Sequence, residues 1–385
     1  MMPVYLDHHA TTPVDPRALE AMLPFFTEHH GNAASDHEHG AIAHRAIEDA
    51  RTAISDLLRA RTNEVIFTSG ATESNNLAII GAAQANEAIG KHIITSQIEH
   101  PAVLDACQHL EKHGWDVTYL QPDKYGLHTA DQVRDVLRED TVLVSIMMAN
   151  NEIGTIQPIR EIGALLEERT TLFHTDATQA ITWVPANVDE LGVDLLSMSS
   201  HKMYGPKGIG ALYVRRKPRR VRVLPQVLGG GHERGLRSGT PNVTGIVGFG
   251  AAAKLVADER DSDAERASEL RDALYSTLSS NLQDVVLHGH ENRRLPNNLN
   301  IAFKGVEARS LLNAVSTQLS ISTGSACSSS EVEPSHVLLA ILENEEEAHE
   351  SVRIGIGRFT TQEDIQVAGN ALENAVKRLR TFANL

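Results

Sequence analysis

The sequence predicts an α/β protein with a mostly parallel seven-stranded sheet in a large domain, followed by a smaller α+β domain. Three observations carry this. Short apolar, β-branched runs alternate with longer amphipathic segments, the pattern of parallel strands covered by helices on both faces. A chain of 385 residues exceeds what one compact core absorbs, so two domains are expected. After about residue 260 the strict alternation stops.

The predicted strands are 65–68, 92–95, 117–120, 142–148, 172–174, 195–198 and 209–214, with helical patterns between them such as 102–113 and 159–168. These fall in a large domain spanning 15–260. A charged helical stretch, 261–279, leads into strands at 285–289 and 300–303 and ends in a helix at 362–382. Residues 1–14 and 261–385 are assigned to the smaller domain.

Composition narrows the function classes. Hydrophobic residues make up 41% and charged residues 22%, as in soluble globular chains. No run of about 18 apolar residues predicts a membrane span, and no leader pattern opens the chain, so a cytoplasmic protein is expected. The net charge of -15 argues against nucleic-acid binding through the overall field. The basic cluster Arg215, Arg216, Lys217, Arg219, Arg220 and Arg222 reads as a solvated turn or, more sharply, as a docking patch for an acidic partner. The 19 histidines match no zinc-binding spacing, so no metal is expected.

Five segments carry candidate chemistry. In SMSSHKMYGPKGIGALYV, Lys202 follows a strand end, where ligands bind in open α/β sheets. Alone it reads as a loop lysine, but a partly desolvated amine there can form a Schiff base with an aldehyde cofactor. In TSGATESNN, Gly70-Ala71-Thr72 turns a strand into a helix start suited to a phosphate, unless Thr72 is simply an N-cap. In FHTDATQA, Asp176 sits just after an apolar strand and can hold a pyridinium nitrogen protonated, or merely cap a helix. Gln179 lies one turn on and could reach a ring oxygen. In IEHPAVLD, His100 precedes a helix-starting proline and can stack on a ring or shuttle a proton.

The fifth segment, STGSACSSSEVEPSHVL, places Cys327 among seven consecutive small residues, 324–330. Such a stretch packs poorly, so an exposed, mobile loop and a chemically active thiol are expected. Cys107, on one helical face with Val103 and Leu110, is expected in the core. Two cysteines give no disulfide framework.

These segments, with those around Asp7, Asn151, 237–240 and Arg353, resemble class I cysteine desulfurases of the NifS/IscS type, within the aminotransferase-like fold type I pyridoxal-phosphate enzymes. The resemblance runs from Tyr5 past Thr361, and blocks such as YGPKGIGALYVRRKP and GGGHERGLRSGT are specific to it. It implies that Lys202 bonds pyridoxal 5'-phosphate, His100 stacks on the ring, Asp176 pairs the ring nitrogen and Gln179 meets the ring hydroxyl. It further implies phosphate contacts from Thr72, Ser199 and His201, with Thr240 from the second subunit of a homodimer, and substrate-carboxylate binding by Asn151 and Arg353.

The implied activity converts L-cysteine to L-alanine, with the sulfur held as a persulfide on Cys327. The implied recipient is an acceptor protein of iron–sulfur assembly, tRNA thiolation or DNA phosphorothioation. A selenocysteine lyase or another lyase of the same fold is the alternative. An aminotransferase would not need Cys327, and an inactive interaction platform would not need Lys202, Asp176 or Arg353. Two departures from the family stand out. Ala33 occupies a position where proline is usual, and only 24 residues follow Thr361. Housekeeping members extend further and contact the iron–sulfur scaffold through that tail, so the shorter end favours a dedicated modification pathway.

Overall fold

The computed structural model describes residues 2–323 and 334–383. A short strand β1 (Val4–Tyr5) opens the chain. The main sheet follows, with β2 (Val65–Thr68), β3 (His92–Ser96), β4 (Asp116–Leu120), β5 (Thr141–Ser145), β6 (Leu172–Asp176), β7 (Leu195–Ser199) and β8 (Gly210–Val214). Their order is β2-β8-β7-β6-β5-β3-β4. Strand β8 is antiparallel to both neighbours and every other pairing is parallel. This is the predicted mostly parallel seven-stranded sheet.

Burial explains why these runs were readable. Every residue of β3, β5, β6 and β7 is buried, as helices on both faces require, whereas β4 at the sheet edge is largely half-exposed. The run predicted at 142–148 continues past the end of β5. Ile146 and Met148 still donate their N–H groups to His174 and Asp176 carbonyls, at 3.1 and 2.9 Å. The apolar run therefore includes the first residues of the loop that leads to the cavity.

The helix predicted at 261–279 is the second half of a continuous helix, Val243–Asn281. Its first half buries Ile246, Phe249, Ala252, Ala253 and Val256, and so lacks the charged face that marked the second. Beyond it lie β9 (Val285–Leu287), β10 (Asn298–Phe303), β11 (Leu319–Ser320) and β12 (Ser351–Gly355). Strands β12, β10 and β9 form an antiparallel sheet in that order, and β11 pairs in parallel with β1. A closing helix spans Gln362–Ala383. Among the described residues, no helix is long and apolar enough to cross a membrane.

A buried ion-pair cluster ties three distant segments together. Arg358 donates to Asp15 Oδ2 at 3.0 Å and to Asp263 Oδ2 at 2.7 Å, and Arg17 pairs with Asp15 and Glu259. The N-terminal segment is thereby fixed across the long helix and the stretch after β12. That segment runs on into the main cavity.

Candidate active site

A cavity of about 890 Å³ lies where the chain leaves β2, β3, β5, β6 and β7. These five strands run in one direction, so their carboxyl ends open on the same side, the position where open α/β sheets hold ligands. The N-terminal residues 9–11 and Arg353 of β12 complete the wall. Of the eleven residues predicted from the sequence, nine line this cavity: Lys202, His100, Asp176, Gln179, Thr72, Ser199, His201, Asn151 and Arg353. Thr240 is exposed and lies outside it. Cys327 lies outside the described residues.

Lys202 ends the helical turn Ser200–Lys202 that follows β7 directly. Its ammonium donates to the carbonyls of His9 and Ala10, the latter at 2.7 Å, and Thr182 donates to the Lys202 carbonyl at 3.0 Å. Asp176, the last residue of β6, is buried. Its Oδ2 accepts from Asn75 Nδ2 at 2.7 Å and its Oδ1 from the Thr178 N–H at 2.9 Å. The local turn-capping role and the cavity-facing role are therefore both filled by one carboxylate.

His100 likewise serves twice. It caps the helix Pro101–Glu111, its Nδ1 accepting from the Ala102 N–H at 3.1 Å. That bond leaves the neutral ring its proton on Nε2. Burial, and secondarily the nearby Lys202, lowers its pKa and favours this neutral form.

The helix Ala71–Ala85 starts at Gly70 without a side-chain cap, so Thr72 lies in its first turn and is not the N-cap. Gly70 has φ 155, a conformation that favours glycine. A Cβ on Gly210 of β8 would come within 2.7 Å of the Gly70 Cα. Two glycines thus let β8 press against the helix start. Thr72, Ser199 and His201 surround that start, and His201 Nδ1 contacts Thr11 Oγ1 at 3.0 Å. Burial, with Lys202 and Lys207 nearby, pushes the His201 pKa down to about 4.

At the opposite wall, Arg353 is 3% exposed. Its Nη2 pairs with Asp7 Oδ1 at 3.1 Å and donates to Ser322 Oγ at 2.9 Å, and its Nη1 donates to the Asn151 carbonyl at 3.2 Å. Its Nε has no partner among the described residues. Asn151 meets Arg353 through its backbone, while the deeper Asn150 holds the loop by accepting from the Glu152 and Ile153 N–H groups.

Sequence reasoning missed several contributors. His9, Asn75 and Glu99 hold or neighbour the functional side chains; Asn75 and Glu99 lie within TSGATESNN and IEHPAVLD without a chemical signal of their own, and His9 lies in none of the five segments. Cys107 is in the core as expected, fully buried, and burial raises its thiol pKa. The basic cluster is not simply a solvated turn. Arg215 is buried against Asp189 and the Val188 and Val193 carbonyls, and Arg219 pairs with Asp194.

Residues 4–367 match the model of the aminotransferase class-V family. The chain belongs to the aminotransferase class-V family. A curated relative from Anaeromyxobacter dehalogenans (strain 2CP-C), cysteine desulfurase IscS, is 50% identical over 385 residues, covering 100% of this chain and 95% of that relative. Among solved structures, a NifS-like protein superposes with a TM-score of 0.91 at 36% identity, covering 98% of this chain and 100% of its own. SspA in complex with cysteine superposes with a TM-score of 0.82 at 39% identity, covering 93% and 99%.

Aminotransferase class-V enzymes depend on pyridoxal phosphate, and the residues present fit that cofactor. An amine, a buried carboxylate and an uncapped helix start with two hydroxyls and a neutral imidazole face one cavity. These are the groups an aldehyde, a pyridine nitrogen and a phosphate require.

Proposed function

We propose that this chain is a pyridoxal-phosphate-dependent cysteine desulfurase that converts L-cysteine to L-alanine and passes the sulfur through Cys327. The observation that carries this reading is the convergence of Lys202, Asp176, Gln179 and Arg353 on one cavity. Lys202 would attach the cofactor, Asp176 and Gln179 would hold its ring under His100, and Thr72, Ser199 and His201 would hold its phosphate. Thr240, exposed on its own subunit, would complete the phosphate site of the second subunit in a homodimer. When bound, the cofactor supplies an electron sink that makes the substrate Cα proton acidic.

The chain's own residues do the rest. Arg353 receives the substrate carboxylate, because its guanidinium is buried and its Nε lacks a partner among the described residues. Lys202 Nζ takes the Cα proton in its neutral form. Cys327 Sγ, as thiolate, attacks the substrate sulfur. A sulfur–sulfur bond forms and the carbon–sulfur bond breaks. The departing electron pair stays with the substrate carbon, which takes up a proton and leaves as alanine.

We take residues 15–260 as the unit that holds the cofactor, with 1–14 and 261–385 as the smaller one. The boundary falls within the helix Val243–Asn281. The persulfide sulfur goes to an acceptor protein, an iron–sulfur scaffold or a thiolation or phosphorothioation protein. Capture of partners on the persulfide form distinguishes these.

The test compares sulfide and alanine release from L-cysteine, under a thiol reductant, between wild type and Cys327→Ser. Equal amounts of both products from wild type and almost none from the variant are expected. Full activity in the variant would replace this reading with a direct lyase.

A further inference from the structure

His9 was not singled out by any motif, yet it touches both Lys202 and Gln179. The carbonyl of His9 accepts from the Lys202 ammonium and from Gln179 Nε2, the latter at 3.0 Å. Its ring Nδ1 meets Gln179 Oε1 at 3.0 Å and its Nε2 meets Asn298 Nδ2 at 3.1 Å. Both polar atoms of the Gln179 amide are thus engaged by one residue.

The direction of this chain of hydrogen bonds follows from its ends. Arg294, a guanidinium with donors only, donates from Nη1 to Asn298 Oδ1 at 2.9 Å. Asn298 must then present Nδ2, which donates to the Glu152 carbonyl at 2.9 Å and to His9 Nε2. A ring that accepts at Nε2 carries its proton on Nδ1, and that proton goes to Gln179 Oε1. The His9 carbonyl demands the same orientation independently, since only Nε2 of Gln179 can donate to it. With Oε1 turned to the His9 proton and one Nε2 hydrogen on the His9 carbonyl, Gln179 keeps a second Nε2 hydrogen to offer the cavity.

We propose that His9 is a positioning residue that locks the Gln179 amide so that it presents an N–H, and not a carbonyl, to the cofactor ring oxygen. This rests on the proposed pyridoxal-phosphate function. The geometry is supported by the electrostatics around the ring. His9 is buried beside Arg353, Lys202 and His8, which together with the burial push its pKa down to about 3. A neutral ring keeps the acceptor at Nε2 that the chain requires.

An N–H aimed at the ring hydroxyl favours its ionised form, so the lock is readable in the cofactor's visible spectrum. The experiment titrates the visible absorption band of the holoenzyme in wild type, His9→Ala, Gln179→Ala and the double variant, with His9→Asn as the rescue. The His9→Ala change leaves the backbone carbonyl under Lys202 in place and removes only the imidazole. The expected result is a band midpoint displaced to higher pH by about one unit, the size of one hydrogen bond to a charged group. Gln179→Ala should give a similar displacement and the double variant no further one. His9→Asn, which can put an amide N–H near the Nδ1 position, should move the midpoint back toward wild type. A His9→Ala midpoint equal to wild type, or two displacements that add in full, would overturn the lock. Wild type with no cofactor band would instead overturn the functional reading beneath it.

Discussion

Glu99 precedes the predicted ring-stacking histidine and is fully buried. Its Oε1 accepts from the Met147 N–H at 2.7 Å, while Oε2 has no partner among the described residues. Burial is the main reason its pKa rises well above the ordinary glutamate value of 4.5, and the Asp176 carboxylate adds to it. A buried carboxyl with an unsatisfied oxygen and no paired cation among the described residues favours the neutral acid. The prediction is that Glu99→Gln changes the pH dependence of stability.

The sign follows from linkage. For an acid whose folded pKa is raised, the stability contribution is complete below the unfolded value and is lost as pH rises toward the folded one. Above pH 4.5 the unfolded chain releases the Glu99 proton and the native chain keeps it. Each further pH unit then costs the wild type about 1.4 kcal/mol that the glutamine variant does not lose. The spare amide N–H group of glutamine imposes a penalty, but that penalty is constant with pH and does not enter the slope. Urea unfolding midpoints of both proteins at pH 5.5, 6.5 and 7.5, with equal cofactor saturation, measure the difference. The stability gap should move in favour of Glu99→Gln by about 1.4 kcal/mol per pH unit until the folded pKa is reached. A gap independent of pH would mean that Glu99 is ionised in the native state, and the argument from burial would fail.

Three further outcomes are expected. Arg358→Ala removes the buried cation that Asp15 and Asp263 share, leaving Asp15 to Arg17 and Asp263 to Arg266, so denaturant unfolding should show a loss of about 1.5–3 kcal/mol. Acid should destabilise the protein steeply from pH 6.5 downward, because burial holds His9 near 3 and His128, His174 and His288 near 4. The unfolded chain binds those protons first, so stability falls as pH falls, and proton uptake on unfolding measured at pH 5 should exceed that at pH 7.5. Asp7→Asn keeps an acceptor for Arg353 Nη2 and Ser322 Oγ but removes the charge. The KM for L-cysteine should fall by about two- to fivefold, the scale of a partly screened ion pair, with kcat little changed; a raised KM would show that the charge itself holds Arg353 in place.

Much of this was legible in the sequence because it is local. A buried strand reads as an apolar run, and a functional side chain at its end reads from the residue that follows. That is why Asp176 at the end of β6 and Lys202 after β7 are legible, and with them the seven strands. Contacts between distant segments leave no such mark. The His9 carbonyl binds Lys202 across 193 positions, and a backbone carbonyl has no residue identity to read. Glu99 carries no mark either, because its raised pKa comes from what surrounds it and not from what it is. The first half of the helix Val243–Asn281 escaped for a related reason: it is buried along most of its length and shows no polar face to set a period.

The same burial decides the chemistry of the cavity. His9, His100 and His201 all have lowered pKa values with burial as the largest cause, and Glu99 has a raised one for the same reason. In each of the four, burial favours the neutral, hydrogen-bonding form. Two cations at the walls face a carboxylate or a carbonyl: Lys202 the His9 and Ala10 carbonyls, and Arg353 Asp7. Asp176 is held by amide N–H groups from Asn75 and Thr178, so it can pair with a cationic ring nitrogen without first giving up a lysine or an arginine. An anionic substrate then finds a guanidinium only partly matched by Asp7. The selectivity of the site thus follows from which groups burial discharges as much as from which residues the strands deliver.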